Sequence, residues 1–197
     1  VLHRLVCDVG ERLQGGRLAL LVMNNDLGSV VFYLACLKMH VVPILLDKTI
    51  SGSQMQLYMQ KYEPEYLFMS DGKKAGDRIG EERYYEVSAE VFGHVLLERA
   101  YERRKKIYAD LAILLPTSGT IYLSKLVRIS SANLYDNAKN ICETLGIGKE
   151  DIAVISLPLS YCYGLSVLNT HLLKHATILL TDKSVPPAEA LVKKAEK

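Results

Sequence analysis

Nine residues between two apolar runs, Thr117-Ser118-Gly119-Thr120-Ile121-Tyr122-Leu123-Ser124-Lys125, bring hydroxyls, one glycine and one lysine together. That mixture suits a polyanion such as phosphate. Glycine lets backbone N–H groups converge, hydroxyls donate hydrogen bonds, and an ammonium adds a point charge. Alone the cluster is a weak signal, because Ser/Thr/Gly groupings are mostly ordinary turns. It also lacks the GxxxxGK[ST] spacing of a Walker loop.

Other chemistry-bearing residues carry less. His171 and His175 stand at i, i+4, the spacing of zinc-binding HExxH helices, but Leu172 occupies the place of the glutamate and no third ligand accompanies them. No metal site is expected. Arg103-Arg104-Lys105-Lys106 could hold an anion, yet Glu98 and Glu102 beside it make a solvated face the better reading. Met55, Met59 and Met69 read as core packing. No Ser-His-Asp or Cys-His arrangement emerges from residue order.

These residues need a scaffold, and the composition allows one. The chain has 197 residues, of which 49% are hydrophobic and 23% charged, as in a folded protein able to bury a sizeable core. The net charge of +2 creates no strong field toward nucleic acid, so no nucleic-acid partner is expected. Cys7, Cys36, Cys142 and Cys162 form no CxxC pair, which fits reduced thiols and a cytoplasmic setting. No apolar run approaches the roughly 20 residues of a membrane span, and no secretory leader opens the sequence.

The elements follow from apolar periodicity. The chain opens in an amphipathic helix. Leu18 to Met23 predicts a strand, and Asn24, Asn25 or Asp26 then caps an apolar helix to about Met39. Val41 to Leu46 predicts a second strand, Ser51 caps a helix carrying Met55, Leu57, Tyr58 and Met59, and Tyr66 to Met69 is a third strand. Asp71-Gly72-Lys73-Lys74 reads as a turn, and charge dominates Ala100 to Lys106. Leu111 to Leu115 and Leu126 to Ile129 are strands flanking the hydroxyl-rich loop. Ser130, Ser131 or Asn133 caps a helix to about Leu145, where Gly146 and Gly148 stop it. Ile152 to Leu157 is a strand, Leu165 to Lys174 a helix, Thr177 to Leu180 a strand, and Pro186-Pro187 opens a last helix. Buried strands alternating with helices give an α/β fold: a layered, mostly parallel sheet flanked by helices. Residues 1–106 form its first portion and 107–197 a second portion that carries the loop.

The stretch from Leu111 to Asp182 closely resembles the adenylate-forming superfamily of acyl-CoA synthetases, peptide-synthetase adenylation domains and luciferases. That family's phosphate loop reads roughly T-S-G-[ST]-T-G-x-P-K, followed by a valine, a Ser/His-x-x-Asn-Leu helix start and a Pro-Leu-x-x-x-x-Gly segment. Here stand Thr117 to Thr120, Lys125, Val127, Ser130-Ser131-Ala132-Asn133-Leu134 and Pro158-Leu159-Ser160-Tyr161-Cys162-Tyr163-Gly164. Upstream, Asn24, Tyr33-Leu34-Ala35-Cys36-Leu37 and Val42-Pro43-Ile44 also match, so the resemblance covers most of the chain.

The resemblance implies part of the large N-terminal domain of an ATP-dependent, AMP-forming, carboxylate-activating ligase. Thr117, Ser118, Gly119, Thr120 and Lys125 are then ATP-phosphate contacts, and Tyr161 and Gly164 border an acyl pocket. ATP and Mg²⁺ are the implied cofactors. A small carboxylic acid and a thiol acceptor, coenzyme A or a carrier protein, are the implied partners. The family's metal-binding glutamate, adenine and ribose contacts and C-terminal-domain lysine come from later sequence, so no catalytic residue is assigned and the isolated chain is expected to be inactive. Ile121 to Ser124 depart from the pattern. Tyr122 replaces a glycine and cannot take positive φ cheaply, and Ser124 replaces a stiffening proline. That departure admits a second reading, a non-catalytic scaffold or interaction domain. A Rossmann dinucleotide binder would need GxGxxG after the first strand, which Asn24 to Gly28 do not supply.

Overall fold

β1, Leu18–Met23, is buried along its whole length. Its side chains alternate, with Ala19, Leu21 and Met23 in one apolar cluster and Leu18, Leu20 and Val22 in another. A strand covered on both faces needs helices above and below, which explains the unbroken apolar run. The computed structural model describes residues 1–70, 85–100, 106–117 and 125–181. The sequence-predicted turn at Asp71 to Lys74, the basic run at 103–105 and the helix after Pro186 fall outside them.

In chain order the elements are α1 (Leu2–Gly10), β1, α2 (Leu27–Lys38), β2 (Val42–Asp47), α3 (Gly52–Tyr62), β3 (Tyr66–Ser70), β4 (Tyr85–Val91) and β5 (His94–Arg99). There follow β6 (Leu111–Pro116), β7 (Leu126–Ser130), α4 (Ser131–Leu145), β8 (Ile152–Ile155), α5 (Cys162–Leu173) and β9 (Thr177–Leu180). Among the described residues, seven strands form one sheet in the order β4-β5-β3-β1-β2-β6-β7, and β8 and β9 form a parallel pair. The central strands β3, β1, β2 and β6 run parallel, and the outer pairings of β5 with β3 and β7 with β6 are antiparallel. Helices α1, α2 and α5 cover one face, through residues such as Val6, Phe32 and Leu165. Helix α3 covers the other with Met55, Tyr58 and Met59.

The ends of these elements have local causes. Asp26 caps α2, accepting the Ser29 N–H at 2.8 Å. Ser51 and Gln54, and likewise Ser130 and Asn133, exchange side-chain and backbone hydrogen bonds as capping boxes for α3 and α4. Gly146 ends α4 at φ 68°, a left-handed conformation that glycine adopts without a Cβ penalty.

Several features differ from the sequence expectation, among them β8, which ends at Ile155 rather than Leu157. The hairpin β4–β5 is absent from that expectation, because its two-residue turn is Phe92-Gly93, with φ of 52° and 71°, and lacks the Asn-Gly signature. Helix α5 begins at Cys162 rather than Leu165, since Tyr161 already provides the extended N-cap backbone. It ends at Leu173, so His175, at φ 57°, lies beyond it and does not share a helix face with His171.

Candidate functional site

The parallel strands aim their carboxyl ends at one edge of the sheet, where ligands bind in open α/β folds. Met23, Asp47 and Pro116 close β1, β2 and β6 at that edge. The hydroxyl-rich loop leaves from it. Its neck is tied where the Thr117 N–H donates to the Lys125 carbonyl at 2.9 Å, continuing the β6–β7 ladder past Pro116 and Leu126. Thr117 and Lys125 are therefore brought together. Ser118, Gly119 and Thr120, with the divergent Ile121 to Ser124, lie outside the described residues.

A strand-to-helix turn reaches the same edge. After β8 the chain passes Leu157 and Pro158 and closes with the Tyr161 N–H donating to the Pro158 carbonyl at 3.0 Å. Tyr161 stands at the mouth of α5 with 56% of its surface exposed. Gly164, in the first turn of α5, is buried against the backbone of this same segment.

Two residues that the sequence did not single out for this site hold that turn. Asn25, just past β1, donates through Nδ2 to the carbonyls of Leu157 at 3.0 Å, Thr181 at 3.0 Å and Ile155 at 3.4 Å. Its Oδ1 accepts the Leu159 N–H at 3.1 Å. Asp47, at the end of β2, accepts the Ser160 hydroxyl at 3.1 Å and both the N–H and hydroxyl of Thr49. Burial opposes the Asp47 charge, but the Thr49 and Ser160 hydrogen bonds and nearby Lys48 hold its carboxyl below the usual range, so it is ionised. β2 and β6 pair in parallel at Ile44 and Leu114, so Asp47 ends the strand next to the one that leads into the loop neck. The same carboxylate holds the Leu157–Tyr161 turn through Ser160. A cavity of about 520 Å³ lies nearby, lined by Leu115, Val127, Asn133, Cys162, Leu165 and Ser166.

The neighbouring Asp26 belongs to a different device. Its Oδ2 is 3.2 Å from His94 Nε2, whose ring is 3% exposed and stacks on Phe68 with centroids 4.7 Å apart. His94 Nδ1 donates to the Phe92 carbonyl at 3.0 Å. Burial opposes both charges. Hydrogen bonding with His94 and Ser29 and the His94 charge nevertheless bring Asp26 down to about 2, while Asp26 and the Phe92 carbonyl push His94 above the ordinary imidazole value. The depressed carboxyl stabilises the fold above its ordinary 3.8, and that stability is lost as pH falls through about 2. The raised imidazole stabilises it fully below 6.5 and ceases to do so as pH rises through its folded value. The melting-temperature difference between wild type and Asp26→Asn is therefore expected to peak between about pH 4 and 6.5 and to shrink on either side. Thermal melts from pH 2 to 9 measure it, and a difference independent of pH would contradict the pairing.

With this geometry in view, comparisons with known proteins are informative. Residues 2–197 match the family model described as AMP-binding enzyme. The 2-succinylbenzoate–CoA ligase of Bacillus pumilus is 27% identical over 176 residues, which is 87% of this chain and 35% of that protein. The Bacillus velezensis enzyme of the same name is 26% identical over 174 residues, again 87% of this chain and 35% of the relative. Among solved structures, o-succinylbenzoate CoA synthetase from Bacillus subtilis, in complex with its acyl-adenylate intermediate, superposes with a TM-score of 0.73 at 21% identity. That match covers 99% of this chain and 52% of the other. Apo MatB from Rhodopseudomonas palustris gives 0.74 at 22% identity, covering 98% and 40%. The chain thus spans about a third of the length of the curated relatives it matches.

Proposed function

Because this chain belongs to the AMP-binding enzyme family, we propose that the protein carrying it activates a small carboxylic acid with ATP, releasing pyrophosphate, and passes the acyl group to the thiol of coenzyme A. The observation that supports this most is that the loop neck, Thr117 and Lys125, follows β6 at the carboxyl edge of the parallel strands, while the Leu157–Tyr161 turn is bonded to Asp47 at the end of the adjacent strand β2. An ammonium and hydroxyls at a strand-to-strand loop are suited to bind and orient phosphates, and the turn is suited to receive the carboxylate. Such a reaction gains mainly from positioning and from charge stabilisation. By the resemblance, Mg²⁺ would be held with the nucleotide by a glutamate from later sequence. The ion would neutralise phosphate charge. The cavity of about 520 Å³ falls within the usual range for small-molecule sites. The names of the relatives make 2-succinylbenzoate the first carboxylate to try.

Carboxylate-dependent exchange of pyrophosphate into ATP, catalysed by the complete gene product, tests the proposal. Lys125→Ala is expected to raise the apparent KM for ATP about tenfold, the order of one charge-assisted hydrogen bond, and to leave the carboxylate KM unchanged. The departures at Ile121 to Ser124 favour a competing scaffold role. If the complete gene product fails to bind ATP in calorimetry, the enzyme reading is lost and the scaffold stands.

A further inference from the structure

We propose that Asn25 and Asp47 are positioning residues that fix the Leu157–Tyr161 turn and so set carboxylate affinity, with little effect on ATP. The inference rests on the carboxylate-activating function proposed above. Asn25 reaches residues more than 100 positions away in sequence, and both ends of its amide are engaged: Nδ2 faces the carbonyls of Ile155, Leu157 and Thr181, and Oδ1 faces the Leu159 N–H. It thereby ties the end of β1 to the ends of β8 and β9. Asp47 holds the same turn from β2 through Ser160. The next residue is Tyr161, whose exposed ring stands at the start of α5. Position and tilt of that ring follow from a turn held at Leu157, Leu159 and Ser160.

The amide chemistry separates substitutions. Asn25→Ala removes all of these bonds. Asn25→Asp keeps the acceptor for Leu159 but sets carboxylate oxygen against three carbonyl oxygens, which is repulsive and leaves a half-buried charge poorly paired. Aspartate is thus the worse substitution here, despite its shape.

In pyrophosphate exchange by the complete gene product, with 2-succinylbenzoate as the probe, Asn25→Ala is expected to raise the carboxylate KM about tenfold and to keep the ATP KM within about twofold. Asn25→Asp should exceed that rise, and Ser160→Ala should give about threefold. Equal rises in both KM values, or a loss of kcat with the carboxylate KM unchanged, would overturn the proposal. Amide hydrogen exchange supplies a readout independent of activity. Asn25→Ala should speed exchange at Leu159 and Tyr161 at least about tenfold while Val22 and Leu45 stay protected; unchanged exchange at Leu159 refutes the clamp itself. If wild type shows no exchange with any of a panel of carboxylates, the functional reading fails and takes the substrate claim with it, and the amide data tell that failure from a failed clamp.

Discussion

Phe68→Ala should lower the unfolding free energy by about 4 kcal/mol, read as a reduced urea midpoint at constant slope. The ring is 1% exposed and lies in a stack. Phe32 of α2 is on one side, with centroids 3.5 Å apart, and His94 of β5 on the other at 4.7 Å. Removing it leaves a void among three elements, and β3, pinned between β1 and β5, cannot collapse to fill it. The face of His94 would then border an apolar hole rather than a ring face, loosening the ring that pairs with Asp26. Phe68→Leu retains most of the volume and should cost no more than about 1.5 kcal/mol. A small loss for Phe68→Ala would mean that the stack is not what joins α2 to the antiparallel edge of the sheet.

Much of the fold was legible because burial writes itself into composition. Leu18 to Met23 must be apolar at every position when a strand is covered on both faces, and the limits of β1 match the run residue for residue. Ser51 was readable as a cap, whereas α2 and α4 left three candidates each, from which the structure selects Asp26 and Ser130. β4 is missing from the sequence expectation although Tyr85, Val87, Ala89 and Val91 alternate with Glu86, Ser88 and Glu90. Its small and charged residues are exposed or half-buried, and no Asn-Gly or Asp-Gly turn follows to mark a hairpin. The site was legible only where it is local in sequence. The loop neck could be found from spacing, but Asn25, read as a possible helix cap, proved to leave capping to Asp26 and to bond across 134 residues to Leu159. Nothing in a linear pattern encodes that separation.

Gly164 tests how far a family motif can be read as function. The resemblance makes it a neighbour of an acyl pocket; in the structure it sits in the first turn of α5, where a Cβ would come within 2.9 Å of the Leu157 carbonyl oxygen and closer still to that of Pro158. Two effects oppose each other in Gly164→Ala. Helix propensity favours alanine by up to about 1 kcal/mol. The clash is with main-chain oxygens, which cannot rotate aside as a side chain would, and forced repacking of this kind costs about 3 kcal/mol. The clash should win, for a net loss of about 2 kcal/mol and a melting temperature lower by about 4–8 °C. Because the Leu157 carbonyl is also bonded to Asn25, the displacement should loosen the Leu159 amide in the same experiment. A glycine kept only as the wall of a pocket predicts the opposite pattern: an altered carboxylate KM, an unchanged or raised melting temperature and a Leu159 amide as protected as in wild type. Close packing accounts for the residue only if stability and amide protection fall together.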